Sequence, residues 1–142
     1  MFSSETGAST RETYTTDDFT YTLIDEYSKV QILSYIGSDT DVVIPDRIDN
    51  KKVTSIADSA FREKSITSVV FGQYVESIGN YAFYSCRSLS KLDFSKSSVK
   101  TIGDYAFTVC KSLESIEFPE SLESIGYAAF SAYTNCYRGS YV

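Results

Sequence analysis

The chain has 142 residues, enough for one domain with a single core. Hydrophobic residues make up 42% and charged residues 23%, the balance of an ordinary packed domain. No apolar run approaches the ~18 residues of a membrane-spanning helix, the absence of histidine removes imidazole bases and His-ligated metals, and a net charge of −6 argues against binding to a nucleic-acid backbone.

The first 16 residues are mostly Ser, Thr, Gly and Glu and read as a flexible tail. The start, Met1-Phe2-Ser3-Ser4-Glu5, lacks the basic and apolar segments of a secretory signal. Either the protein stays in the cytosol or a signal has been removed. Residues 1–52 hold 5 basic and 10 acidic side chains, so the acidity is concentrated there and reads as a solvated surface. Phe19–Ile24 and Lys29–Ile36 alternate apolar and polar residues around Asp25-Glu26-Tyr27-Ser28, which predicts a β-hairpin within residues 17–38. Val42-Val43-Ile44 begins another strand, closed by Pro45.

A repeat dominates the remainder. Ile78-Gly79-Asn80-Tyr81-Ala82-Phe83 recurs as Ile102-Gly103-Asp104-Tyr105-Ala106-Phe107 and as Ile125-Gly126-Tyr127-Ala128-Ala129-Phe130, with a weaker copy at Ile56–Phe61. The four Ile positions are 22, 24 and 23 residues apart. Between these strings stand Ile66-x-x-Val69-x-Phe71, Leu89-x-x-Leu92-x-Phe94 and Leu113-x-x-Ile116-x-Phe118. One unit cannot bury its own apolar side, whereas stacked units share a continuous core. The expected fold is a leucine-rich-repeat-like, right-handed solenoid with short parallel β-strands. The Tyr-Ala-Phe segments should form short helical or 3₁₀ turns. The glycine after each Ile should allow a tight bend at positive φ, although Ala57 takes its place in the first copy. The N-terminal hairpin should cap the coil, residues 39–130 should hold the repeats, and residues 131–142 should form a polar tail.

The pattern S-I-G-x-Y-A-F-x-x-C followed by S-L-x-x-I-x-F-P-x-S-L-x-S-I-G resembles the BspA-like leucine-rich repeat family. The resemblance covers about residues 39–130 and is closest in Ser77–Cys86 and Lys100–Ser131. It implies a cell-surface or secreted, adhesin-like protein with a partner among host surface or matrix proteins. Departures are also visible. Ser97 and Ser121 stand near the places of the familiar Asn ladder, and Lys64 and Tyr133 occupy the repeat position of Cys86 and Cys110.

Outward strand positions should form two columns: Asp41, Ser68, Lys91 and Ser115, and beside it Val43, Val70, Asp93 and Glu117. This face is the expected binding site for a protein. Asp93 and Glu117 should stand side by side at roughly 5 Å, a like-charge pair that marks a cationic partner group or is relaxed by solvent. The last strand, Leu113–Phe118, should leave an open sheet edge that a tail covers or that docks against a second copy end to end. Tyr81 and Tyr105 should stack on neighbouring coils, as a structural ladder or as a row that binds proteins or sugars. Cys86 and Cys110 should be neighbours in a reduced ladder; Cys136 makes the count odd. No cofactor or metal is expected. No base accompanies any particular Ser, and the pair Glu114 and Glu117 has no evident cleft, so the chain reads as non-catalytic.

Overall fold

The structure is a computed structural model, and it describes residues 11–131. Within them the chain winds as a solenoid of four coils, each coil passing through three walls. The first wall is a parallel three-stranded sheet formed by β4 (Asp41–Val43), β7 (Ser68–Val70) and β9 (Lys91–Asp93). The second is an eight-stranded sheet. Its parallel part runs from β3 (Lys29–Tyr35) through β6 (Lys51–Ile56), β8 (Ser77–Ile78) and β10 (Thr101–Ile102) to β11 (Ser124–Ile125). The third wall holds the Tyr-Ala-Phe segments.

The expected hairpin is present: β2 (Phe19–Ile24) pairs antiparallel with β3, and β3 continues into the solenoid by pairing with β6. Three consecutive residues at positive φ, Asp25, Glu26 and Tyr27, turn the chain between them. The expectation of a flexible segment over 1–16 needs correction where the residues are described. Tyr14–Thr15 form β1, which pairs with Tyr21 and Thr20 of β2, and the Thr22 hydroxyl donates to the Glu12 carbonyl at 2.7 Å. Stacking of Tyr14 on Tyr21, centroids 5.4 Å apart, supplies the apolar contact that the composition conceals. A second hairpin, missed in the sequence, joins β5 (Arg47–Ile48) to β6 through Asp49 and Asn50, both at positive φ. Asp and Asn in adjacent turn positions are the usual signal for such a two-residue loop.

Residues from equivalent positions line up in rows. Phe61, Phe83, Phe107 and Phe130 form a stack with centroid separations of 4.7, 5.0 and 5.1 Å and near-parallel rings, and Tyr35 extends it at 5.5 Å. Ile56, Ile78 and Ile102 form another buried row. The physical cause is the one read in the repeats: each ring buries both faces only when the adjacent coils supply rings of their own.

The third wall is not helical. Each Tyr-Ala-Phe segment is a run of turns, and no described residue lies in a helix. Every fourth residue takes left-handed backbone: Ser59, Tyr81, Tyr105 and Ala128 in one column, and Glu63, Ser85 and Val109 four residues further on. Helix formation is excluded because every second N–H points along the solenoid axis rather than back along its own coil. Tyr81, Phe83 and Ser85 donate to the carbonyls of Asp104, Ala106 and Thr108 on the next coil. The intervening N–H groups close local turns, as from Ala82 to Gly79 and from Tyr84 to Tyr81. The wall is therefore a backbone hydrogen-bond ladder without strands.

The glycines have a different cause from the expected positive φ, which falls two residues later. A Cβ at Gly103 would lie 2.7 Å from the backbone of Gly79 and Asn80, and one at Gly126 would lie 2.5 Å from the Asp104 nitrogen. Glycine is required there because adjacent coils touch backbone to backbone.

Candidate functional site

The strand face is built as expected over three coils. Asp41 is in register with Ser68 and Lys91, and Val43 with Val70 and Asp93. The alternate residues Val42, Val69 and Leu92 are buried beneath them. The period of two therefore places all six outward candidates on one surface. Val43 is 61% exposed, whereas Val70 is half-buried between its neighbours. Asp41 accepts hydrogen bonds from the hydroxyls of Thr67 at 3.0 Å and Ser68 at 2.7 Å. Ser68, then Thr67, hold its carboxyl below the usual range. Asp93 accepts from the Ser95 hydroxyl at 2.6 Å and the Ser95 N–H at 2.9 Å, which lower its pKa in the same way. Both carboxylates are thus fixed in direction and ionised at neutral pH.

The fourth coil departs from this order, and with it two of the predicted site residues. Residues 113–118 form no strand, so Ser115 and Glu117 do not extend the two columns, and Glu117 is not paired in register with Asp93. The inner row records the change. Phe71 and Phe94 stack at 4.7 Å and 3°, but Phe94 and Phe118 are 6.3 Å apart and tilted by 34°. A groove of about 720 Å³ opens between the coils, lined on one side by Lys91, Asp93 and Ser95 and on the other by Glu117, Pro119 and Glu120. Two features of the sequence coincide with the opening. In the third coil Ile102 follows Phe94 by eight positions, whereas Ile78 follows Phe71 and Ile125 follows Phe118 by seven. In-register pairing would also set the Glu117 carboxylate beside that of Asp93, which costs energy.

The cysteine row is structural. Cys86 and Cys110 are buried free thiols, each donating to the carbonyl of a residue one coil back: Cys86 to Phe61 at 3.0 Å and Cys110 to Phe83 at 3.1 Å. Burial pushes the Cys86 thiol up to about 11 and Cys110 higher still, so neither is a nucleophile at neutral pH. Cys136 and Tyr133 lie outside the described residues.

One polar ladder escaped the sequence reading. The side-chain oxygen of Asp58 accepts the Asn80 N–H, Asn80 accepts the Asp104 N–H, and Asp104 accepts the Tyr127 N–H, each at 2.8 Å. Ser97 and Ser121 stand near the places of the familiar Asn ladder, but the equivalent device here is two residues after Ile56, Ile78 and Ile102. Asp or Asn at that place in three successive copies was the available signal.

Comparisons with known proteins agree with this architecture. The family described as BspA type Leucine rich repeat region matches residues 33–138 in 6 copies. A solved leucine-rich repeat protein of T. pallidum is 32% identical and superposes with a TM-score of 0.74, covering 81% of this chain and 54% of its own. The chain therefore spans about half the length of that relative. A leucine-rich repeat protein from Bacteroides capillosus is 26% identical, with a TM-score of 0.73 over 87% of this chain and 97% of its own. A leucine rich cell surface protein from Faecalibacterium prausnitzii, 23% identical, shares the fold with a TM-score of 0.69 over 92% of this chain and 44% of its own. No curated protein matches the chain.

Proposed function

The chain belongs to the BspA type leucine-rich repeat family, and from that premise we propose that it is a non-catalytic, protein-binding module of a cell-surface or secreted protein. The observation that carries the reading is the three-stranded face, where one outward column runs from exposed Val43 through Val70 to Asp93 and the next from Asp41 through Ser68 to Lys91, with the carboxylates of Asp41 and Asp93 fixed in direction. An apolar contact flanked by oriented charges is the composition of a small recognition surface. Lys91, in register with Asp41 and Ser68, adds a cation to the same column. The cell-surface protein of similar fold from Faecalibacterium prausnitzii supports the placement outside the cell. The face is short, so the affinity of this chain alone should be modest and should rise with linkage to further repeats.

The test is capture of host surface and matrix proteins by the immobilised chain, followed by affinity measurement on any protein retained. Val43→Glu and Asp93→Lys should each weaken binding by roughly tenfold or more. Both positions are partly or largely exposed, so the fold should survive, which circular dichroism would verify. Undiminished binding by both variants would remove the strand face from consideration.

A further inference from the structure

The third wall carries a row of aromatic side chains that the strand-face reading does not use. Tyr81 and Tyr105 stack at 5.0 Å with an interplanar angle of 13°. Tyr84 meets Tyr81 edge-on at 5.4 Å. The Arg62 guanidinium lies 5.3 Å from the Tyr81 ring centre and 4.7 Å from that of Tyr84. In the fourth coil the tyrosine moves by one position: Ala128 takes the place of Tyr81 and Tyr105, and Tyr127 takes the place of Asn80 and Asp104. The shift rotates the Tyr127 ring to 75° from Tyr105 and leaves it 73% exposed.

Tyr14 and Tyr35 use their hydroxyls inside the fold, donating to Glu12 and to the Asp39 carbonyl. The hydroxyls of Tyr81, Tyr84, Tyr105 and Tyr127, like those of Tyr21, Tyr27 and Tyr74, make no such bond among the described residues. Beside them run Asp58, Asn80 and Asp104, exposed residues that each use one side-chain oxygen in the ladder. Rings and phenols thus recur at the rung spacing of ~4.8 Å, beside the second carboxylate oxygens of Asp58 and Asp104 and the amide NH2 of Asn80.

We propose that this wall is a second binding site, taking a neutral linear glycan laid along the solenoid axis. Sugar units of an extended glycan follow one another at a spacing close to that of the rungs, and each offers hydroxyls that both donate and accept. Tyr127 supplies an open ring for the C–H face of one sugar. Tyr105 and Tyr81, whose faces are occupied by each other, offer their hydroxyls instead. Charge beside the rings argues against acidic glycans: Asp58 and Asp104 stand in the ladder next to the row, and Arg62 is already engaged by Glu63 at 3.7 Å and by the faces of Tyr81 and Tyr84. The proposal is independent of the strand face, which lies on another wall.

The test follows the tyrosine ring resonances by NMR while the full chain is titrated with cellohexaose, chitohexaose, mannohexaose and, as the anionic control, a hyaluronan hexasaccharide. At least one neutral hexasaccharide should shift the rings and bind. Tyr127→Ala should weaken that binding roughly tenfold, and Tyr105→Phe, which keeps the stacked ring, roughly threefold to tenfold. Val43→Glu on the strand face should leave it unchanged. The proposal is overturned by silence of the rings at millimolar neutral sugar, by equal binding of hyaluronan, or by full affinity in both tyrosine variants. A protein ligand lost in Tyr127→Ala, with no sugar bound, would overturn it in favour of a protein contact.

Discussion

Two walls of the same solenoid treat the fourth coil differently. The eight-stranded sheet continues through it: Thr101 and Ile102 pair with Ser124 and Ile125, and Phe107 and Phe130 stack at 5.1 Å. The three-stranded sheet stops one coil earlier, although Leu113, Ile116 and Phe118 repeat the pattern of the preceding copies. The difference teaches that matching apolar positions bring a coil into the stack but do not alone make its strand pair. Segment length between walls and outward charge both change between the third and fourth coils, where the pairing is lost.

The largest test of this contrast compares one ring from each region. Phe83 is fully buried between Phe61 and Phe107. Phe83→Ala should destabilise the protein by about 3–5 kcal/mol in urea denaturation. Phe118, half-buried and tilted from its neighbour, should cost only about 1–2 kcal/mol on the same change. Equal losses would mean that the fourth coil is as tightly packed on this wall as the second. Gly103→Ala should come next, at about 1–3 kcal/mol, because the new methyl group meets the backbone of Gly79 and Asn80 as well as the Asn80 Oδ1, and the backbone cannot move aside. Full stability there would show that the coils can separate at this contact without loss. Asn80→Ala removes the acceptor of the Asp104 N–H and should cost about 1 kcal/mol, with faster hydrogen exchange at the Asp104 amide as the accompanying sign.

What was legible in the sequence was whatever the stacking of equivalent residues determines. The Phe and Ile rows, the two outward columns over three coils and the Tyr81–Tyr105 stack all follow once the period is seen. Features set by contact between backbones were misread. Gly79, Gly103 and Gly126 could be identified as required but not assigned a reason, since clearance between coils and positive φ select the same residue. The Asp58-Asn80-Asp104 ladder was hidden by the expectation that it would sit elsewhere in the repeat. The opening at residues 113–118 was hidden for a different reason. The features that coincide with it, one additional residue after Phe94 and a like-charge pair, lie outside the apolar pattern that defines the copy. The register of Asp41, Val43, Ser68, Val70, Lys91 and Asp93 on one face was accordingly legible, whereas the expected continuation of the two columns to Ser115 and Glu117 was not met.

The smallest effect concerns the third wall, where the hydrogen-bond ladder forces left-handed backbone on residues that did not evolve a side chain suited to it. Val109 has φ of 64°, in the column shared with Glu63 and Ser85. A β-branched residue is the least tolerant of this conformation, whereas Asn adopts it readily. The N–H of Val109 still donates to the Ser131 carbonyl at 3.1 Å, so the ladder holds the residue there at an energetic cost. Val109→Asn should keep that bond, relieve the strain and stabilise the protein by about 1 kcal/mol, read as a higher midpoint in urea with an unchanged slope. Ser85→Asn, in the same column without β-branched strain, should shift the midpoint far less. Destabilisation by Val109→Asn would show that the valine methyls contribute more by packing than the backbone loses by strain.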